Sequence, residues 1–387
     1  MHADAAASAP TGLRAALILF ATNGALYGVW VVRIPDIKIA LDLGEGVLGL
    51  VLLAAAVGAV VSFGLSARIA DRFGAGRVAI AFCIAMALVV PCLAFAPGPV
   101  TLALGLFFLG AFGGSMDLVM NAYATEVEKR ARRARMSLLH GSWSVGMAAS
   151  SGAAAFGLAR LDPALHFALG GTLALIAATV AAALIVDPGP QPGGAGKRAA
   201  LIALPRGAMI PLAAITALAF LIEGAAMDWG GVYVREVLGG SVEQGAAALT
   251  LLSLAVMAVR LVGDPITDRL GPARAARICA AGVALGALIA SLAATPAIAL
   301  AGLTVLGAGL SLMAPIGFSG AGRLATSGSG EAVAAVAFMG YAGILLGPVI
   351  MGLTGELFGL PTSFAILAGG GIALFVVAGR IGRGPST

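Results

Sequence analysis

Apolar runs long enough to cross a bilayer recur along this chain from end to end, and no other feature constrains its fold as much. They fall at 13–32, 46–65, 78–96, 100–125, 136–158, 164–186, 207–234, 243–262, 275–294, 296–320, 331–354 and 361–379. At about 1.5 Å of rise per residue, about 20 apolar residues in a helix match a hydrocarbon core about 30 Å thick. Inside that core every backbone N–H and C=O must find its partner within the segment, which leaves the α-helix as the form these runs take. The expectation is an all-α polytopic membrane protein with 12 transmembrane helices. Composition agrees: 60% of the 387 residues are hydrophobic and 11% are charged, with a mean hydropathy of +1.03. A soluble core of this size could not hide that much apolar surface. The first run is too long for a signal peptide, and Arg33-Ile34-Pro35 follows it in place of a small-residue cleavage site.

Basic residues orient the spans. With both termini cytoplasmic, the inward segments hold Arg14; Arg68, Arg72 and Arg77; Lys129, Arg130, Arg132, Arg133 and Arg135; Lys197, Arg198 and Arg206; Arg260, Arg269, Arg274 and Arg277; Arg323; Arg380 and Arg383. Those are 19 of the 23 Lys and Arg residues, leaving Arg33, Lys38, Arg160 and Arg235 outside. Positive charge retained inside sets this orientation, and the expected location is a bacterial-type inner membrane. The run KRARRAR at 129–135 is read the same way, as a topology signal facing anionic headgroups and not as a nucleic-acid site. Cys83, Cys92 and Cys279 fall in or near apolar runs without ligand spacing, so neither a metal nor a cofactor is expected.

The chain also divides in two. DPGPQPGGAGKRAALIALPRG (187–207) is the one long polar stretch, and it separates six spans from six. The expected organisation is an N-terminal six-helix half at 1–186, a cytoplasmic linker at 187–206 and a C-terminal six-helix half at 207–387. IADRFGAGR (69–77) in the first half matches ITDRLGPAR (266–274) in the second, with Asp71 and Asp268, Arg72 and Arg269, Gly74 and Gly271, and Arg77 and Arg274 in register. Duplicated six-helix units of this kind occur in transporters.

In this loop pattern, its repetition and the central linker, the chain resembles the major facilitator superfamily over nearly its whole length. Two details depart from the pattern: Ala67 stands where that family usually has Gly, and the basic residue comes late, at Arg77. The resemblance assigns Asp71, Arg72, Arg77 and Glu126, with Asp268 and Arg269, to conformational gating on the cytoplasmic side. SMDLVMN followed by SLLHGSWSVG (115–121 and 137–146) is similar to the YbjJ-like branch near the fucose-permease relatives, the branch of the rhizopine transporter MosC. The Gly-Pro-x-x-Gly-Gly pattern of drug–proton antiporters is missing from span five.

Polar residues inside the spans mark the candidate site. A charged carboxylate near a helix centre costs about 2.5–3.5 kcal/mol on insertion scales, so an acid there is a functional hypothesis by default. Asp117 lies nine residues before Glu126, about 13 Å deeper along a helix, and Asn121 shares its face at i+4. On span one, Asn23, Tyr27 and Trp30 follow i, i+4, i+7 spacing; on span five, His140 and Trp143 follow i, i+3; span seven carries Glu223. The resemblance implies that spans one, four, seven and ten line a central cavity, with five, eight and eleven beside them. The expected solute contacts are therefore Asn23, Tyr27, Trp30, Asp117, Asn121, His140, Trp143 and Glu223, with Asp117 and Glu223 as proton-coupling groups. Fucose–proton symporters carry acids on spans one and four, whereas this chain has Asn23 on span one. Asn23 and Tyr27 could equally bond neighbouring helices, and Trp30 could belong to an interfacial aromatic belt. His166 at the start of span six reads as interfacial, Asp228 as sitting at the outer mouth of span seven, and Arg260 as part of the inner gate.

Acids, amides, aromatics and an imidazole without a central Lys or Arg disfavour phosphates and organic anions. They favour a small polyol or amino-polyol, such as an inositol derivative, moved by proton-coupled alternating access. Export of lipophilic cationic drugs and sugar–proton symport remain the alternatives. No His-Glu-x-x-His, Ser-His-Asp set or phosphate loop supports an enzyme, and duplicated halves with matching inner loops are not needed by a channel. The expected partners are the solute, protons and the lipid bilayer, with no nucleic acid, and the monomer is the default assembly.

Overall fold

The computed structural model describes residues 2–131, 135–186, 205–324 and 329–381. Their regular elements are all helical: α1 (His2–Val31), α2 (Ile34–Ala40), α3 (Glu45–Phe73), α4 (Ala75–Cys92), α5 (Pro99–Ala131), α6 (Met136–Ala155), α7 (Pro163–Leu184), α8 (Met209–Val232), α9 (Val242–Leu261), α10 (Gly263–Leu270), α11 (Pro272–Ser291), α12 (Pro296–Leu310), α13 (Met313–Leu324), α14 (Ser329–Phe358) and α15 (Leu360–Ala378). Eleven of the resulting segments are long and apolar enough to cross a membrane. The twelfth expected span is α6, a helix of 20 residues in the expected place. His140, Trp143 and five serines make it too polar to stand with the others on hydropathy alone. The linker expected at 187–206 lies outside the described residues except for its last two, as do Arg132, Arg133, Lys197, Arg198 and Arg383.

Proline and glycine set the breaks. Pro35 occupies the first turn of α2, where its missing N–H costs nothing. Gly74 and Gly271, the matched glycines of the two loops, stand just before α4 and α11 with φ of 92° and 76°. That region of backbone space is left almost entirely to glycine. The two loops thus share a backbone conformation as well as a sequence. In the second loop α9 ends at Leu261 and a separate α10 carries Asp268 and Arg269, because Pro265 cannot continue the ladder of the preceding helix.

The described chain clusters into two compact units, one of residues 1–42 and 54–197, the other of residues 43–53 and 198–387. In the first, α1 packs on α5, α6 and α7, and α4 on α5 and α7. Its core includes Ala16, Phe20, Met116, Met120, Tyr123 and Leu139. Small residues bring α1 and α6 into contact: a methyl group on Gly24 would collide with the Trp143 carbonyl, and one on Gly146 with the Ala21 carbonyl. Membrane helices associate largely through such close packing, since lipid tails offer no hydrophobic drive. On α3, Ser62 and Ser66 bond Ser115 of α5, at 2.9 and 2.5 Å between hydroxyl oxygens. In the second unit α8 packs chiefly on α14, and α11 on α12 and α15. Residues 43–53 join this unit through α14, with the Gly46 N–H donating to Glu356 Oε2 at 3.1 Å.

Candidate functional site

In the first unit, the α1–α6 approach decides where Asn23 goes. Because Gly24 lets the α6 backbone come close, the Trp143 indole N–H reaches Asn23 Oδ1 at 2.9 Å. The Asn23 amide nitrogen donates to the Gly113 carbonyl of α5 at 3.4 Å and lies 4.0 Å from Met86 Sδ of α4. Asn23 is only 1% exposed and joins four helices. Tyr27 is half-buried beside Gly113, where any side chain would collide with its hydroxyl. Trp30 is buried and packs against Phe167 of α7, with ring centroids 6.3 Å apart.

A second network joins α5 to α6. The Asn121 amide donates both to the Asp117 carbonyl at 2.8 Å and to its carboxylate Oδ1 at 3.2 Å. With its nitrogen so occupied, Asn121 turns its oxygen to His140 Nε2 at 3.1 Å. An oxygen can only accept, so that ring nitrogen carries the hydrogen. The Phe20 ring meets the imidazole edge-on at 5.2 Å. Asp117 and Asn121 are half-buried and His140 is exposed. The result is a chain of hydrogen-bonding groups from a carboxylate to an accessible imidazole. Asp117 stands about 4 Å from the midpoint of the span Pro99–Arg130.

In the second unit Glu223 occupies the middle of the span Met209–Val237. Its Oε1 lies 3.9 Å from a guanidinium nitrogen of Arg260 on α9, whose Nε donates to the Ser311 carbonyl at 3.2 Å. This corrects the expectation that no cation is central, since the guanidinium reaches an acid at mid-span. The long, flexible side chain carries its charge away from its own backbone level and along the neighbouring helix to the acid. Asp228 is corrected too: the span runs on to Val237, so this residue lies two to three turns inside it.

The gating candidates are peripheral. Asp71, Arg72, Arg77, Asp268 and Arg269 are all exposed, and the Arg72 guanidinium sits over the Phe73 ring at 5.2 Å. Helix α5 continues through Glu126, which pairs with Lys129 at 2.8 Å.

One cluster escaped the reading of the sequence altogether. Arg33, expected outside the membrane, is 1% exposed and donates to five acceptors. Its Nε bonds His166 Nδ1 at 2.8 Å, and its terminal nitrogens bond Asp36 at 2.8 Å and the carbonyls of Ala159, Leu158 and Leu161 at 3.0, 3.0 and 2.9 Å. His166, expected at an interface, is buried as that acceptor. Isolated charges in sequence give no sign of such a pairing across 133 positions. Among the described residues, no group of three or more His, Cys, Asp or Glu could hold a metal ion.

Comparison with known proteins gives this architecture its relatives. The model of the Major Facilitator Superfamily matches residues 15–327 and 231–386. The chain is 31% identical over 338 residues to the uncharacterized transporter y4wD of Sinorhizobium fredii, covering 87% of this chain and 89% of that protein. It is 27% identical over 360 residues to membrane protein MosC of Rhizobium meliloti, covering 91% and 86%. Among solved structures, a mutant of the nucleoside transporter NupG superposes with a TM-score of 0.81 at 15% identity, covering 96% of this chain and 100% of that one. The Escherichia coli fucose:proton symporter FucP superposes with a TM-score of 0.62 at 17% identity, covering 95% and 97%. At those identities the structures speak for the fold alone, but with a family match across both halves the conclusion is plain: this chain is a multi-pass membrane transporter of the Major Facilitator Superfamily.

Proposed function

We propose that this transporter moves a small polyol or amino-polyol, such as an inositol derivative, across the bacterial inner membrane by proton-coupled alternating access, with both termini cytoplasmic. The observation that carries the reading is the chain Asp117–Asn121–His140, which joins a mid-span carboxylate to an exposed imidazole. A bare carboxylate at that depth must stay hydrated or paired, which opposes closing the protein around it. A proton on Asp117, or a bound amine beside it, removes the penalty and permits the change of state. His140 and Asn121 then serve as contacts for the solute and as its link to Asp117, while Tyr27 and the Trp143 ring offer faces to the apolar side of a polyol. Asn23 and Trp30 hold those groups in position from within the unit. Glu223 with Arg260 offers acceptors and donors side by side, which suits hydroxyl groups that do both. The names of the structural neighbours agree in kind, since nucleosides and fucose are polyhydroxylated. Asp71, Arg72, Arg77 and Glu126, with Asp268 and Arg269, are proposed to bias the conformational equilibrium.

The test is a thermal-shift screen of the purified protein against polyols, amino-polyols, sugars, nucleosides and lipophilic amines, because a ligand of the folded state raises its apparent stability by mass action. Hits then enter counterflow in proteoliposomes with and without a proton gradient. Stabilisation and counterflow by lipophilic amines alone would overturn the polyol reading in favour of drug export.

A further inference from the structure

The second unit contains an acid that neither the pairing in its core nor the proposed contacts use. Asp228 lies on α8 nine residues before the end of the span at Val237, about 13 Å within it at 1.5 Å per residue. Its place on the helix is fixed by its neighbours. Trp229 is fully buried, and so is Tyr233, whose hydroxyl donates to the Ala290 carbonyl of α11 at 2.8 Å. Helix α8 therefore cannot roll to carry Asp228 to another environment without breaking these contacts.

Among the described residues, the elements packed against α8 place no counter-charge on Asp228. Helix α8 packs against α9, α12, α13, α14, α15 and the π-turn Tyr233–Val237. The charged residues of these elements are Glu243 and Arg260 on α9, Arg323 on α13, Glu331 and Glu356 on α14, and Arg235 and Glu236 in the turn; α12 and α15 have none. Arg260 is committed to Glu223 and Ser311. Arg323 donates to Ser319 Oγ at 2.6 Å, and Glu356 accepts from the Gly46 N–H. Arg235 lies seven residues beyond Asp228, and its stem packs over Gly245 of α9, where a methyl group would come 2.7 Å from its Cδ. Among the described residues, Asp228 has neither a hydrogen bond nor an ion pair. The two acids of α8 thus differ in kind: in this conformation Glu223 has a guanidinium 3.9 Å away, while Asp228 must be neutralised from outside the protein or remain hydrated.

We propose that Asp228, and not Glu223, is the carboxylate of the second unit that takes up and releases a proton during transport. The step forms one O–H bond between a carboxylate oxygen and a proton from water on one side of the membrane, and breaks it to water on the other. The inference rests on the proton-coupled reading above but can fail while that reading stands.

Infrared difference spectroscopy of the full-length protein in lipid vesicles, titrated with acid and with no solute present, tests it. The wild type should gain a carbonyl stretch of protonated carboxylic acid that Asp228→Asn lacks, that Glu223→Gln keeps and that Asp228→Glu shifts in frequency. Asp117→Asn, recorded alongside, removes only the contribution of its own side chain. If Asp228→Asn misfolds, Asp228→Glu still decides. A spectrum unchanged in both Asp228 variants, or a band lost in Glu223→Gln, overturns the proposal. Proton-driven uptake with no Asp228 band sinks this inference alone, whereas solute counterflow that ignores the proton gradient sinks the coupled-transport reading and this inference with it, even where Asp228 titrates.

Discussion

Asn23 gives the sharpest test of how the first unit is held together, because its bonds are few and each partner is identified. Replacing it by Ala removes the bond to Trp143 Nε1 at 2.9 Å and the weaker one to the Gly113 carbonyl at 3.4 Å. Side-chain hydrogen bonds between membrane helices average about 0.6 kcal/mol, with an upper value of about 1.7. The indole N–H left behind adds the cost of an unsatisfied donor, about 1–3 kcal/mol where water cannot reach it. Asn23→Ala should therefore destabilise the protein by about 1.6–4.7 kcal/mol, and Trp143→Phe by somewhat less, since an under-satisfied carbonyl oxygen is tolerated better than an orphaned N–H. The double variant should cost less than the sum, with a coupling of about 0.6–1.7 kcal/mol. Reversible unfolding in mixed detergent micelles, followed by far-ultraviolet circular dichroism, measures all four proteins. A coupling indistinguishable from zero, with solute affinity lost and stability intact, would refute the assignment of Asn23 to the packing and return it to direct contact with the solute.

Asp117→Asn keeps the shape of the protonated acid, so the variant should fold and exchange solute in counterflow while no longer accumulating it against a gradient; full gradient-driven uptake with undiminished proton movement would exclude Asp117 as the coupling group. Arg33→Lys keeps one charge but cannot satisfy five acceptors in different directions. With at least two of those acceptors left unsatisfied at about 1–3 kcal/mol each, it should cost about 2–6 kcal/mol, read as a fall in apparent Tm. Gly271→Ala forces a Cβ into φ 76°, ψ 152°, and should cost about 1–3 kcal/mol in the same unfolding assay, with Gly74→Ala at φ 92° following it in the matched loop.

What could be read from the sequence was what depends on local chemistry repeated over many residues. Apolar run length located the helices, because the bilayer imposes one length on all of them. The matched glycines of the two loops could be read as a mark of duplication, and the positive φ at both shows why glycine stands there. Asp117 and Asn121 could be paired in advance, because i and i+4 share a helix face. Contacts that depend on how separate helices meet were not legible. Arg33 finds His166 only when α7 returns alongside α1, and Arg260 meets Glu223 only through the reach of a long side chain from α9 to α8. The bond between Asn23 and Trp143 likewise follows from Gly24 and Gly146, whose role appears once the helices are in contact. The break after α9 was hidden for the opposite reason: Pro265 was visible, but in the first half the matching helix α3 runs unbroken to Phe73.

The three membrane acids differ in their partners, and those partners bear on the solute. Asp117 is bonded to a neutral amide that leads to an imidazole, Glu223 faces a guanidinium, and Asp228 has no partner among the described residues. A lipophilic cation gains most from a bare carboxylate close to aromatic faces, and it must compete there with the proton. A polyol gains from groups that donate and accept together, as the Glu223–Arg260 pair and the Asn121–His140 pair do, and its hydroxyls carry no charge to compete with a proton. Acidification should therefore weaken binding of an amine that relies on Asp117 or Asp228, while a neutral polyol should hold its affinity or gain from the neutralised acid. The sign of the pH dependence separates the two solute classes even before the natural solute is identified, because it follows from charge alone and not from the detailed fit of either ligand.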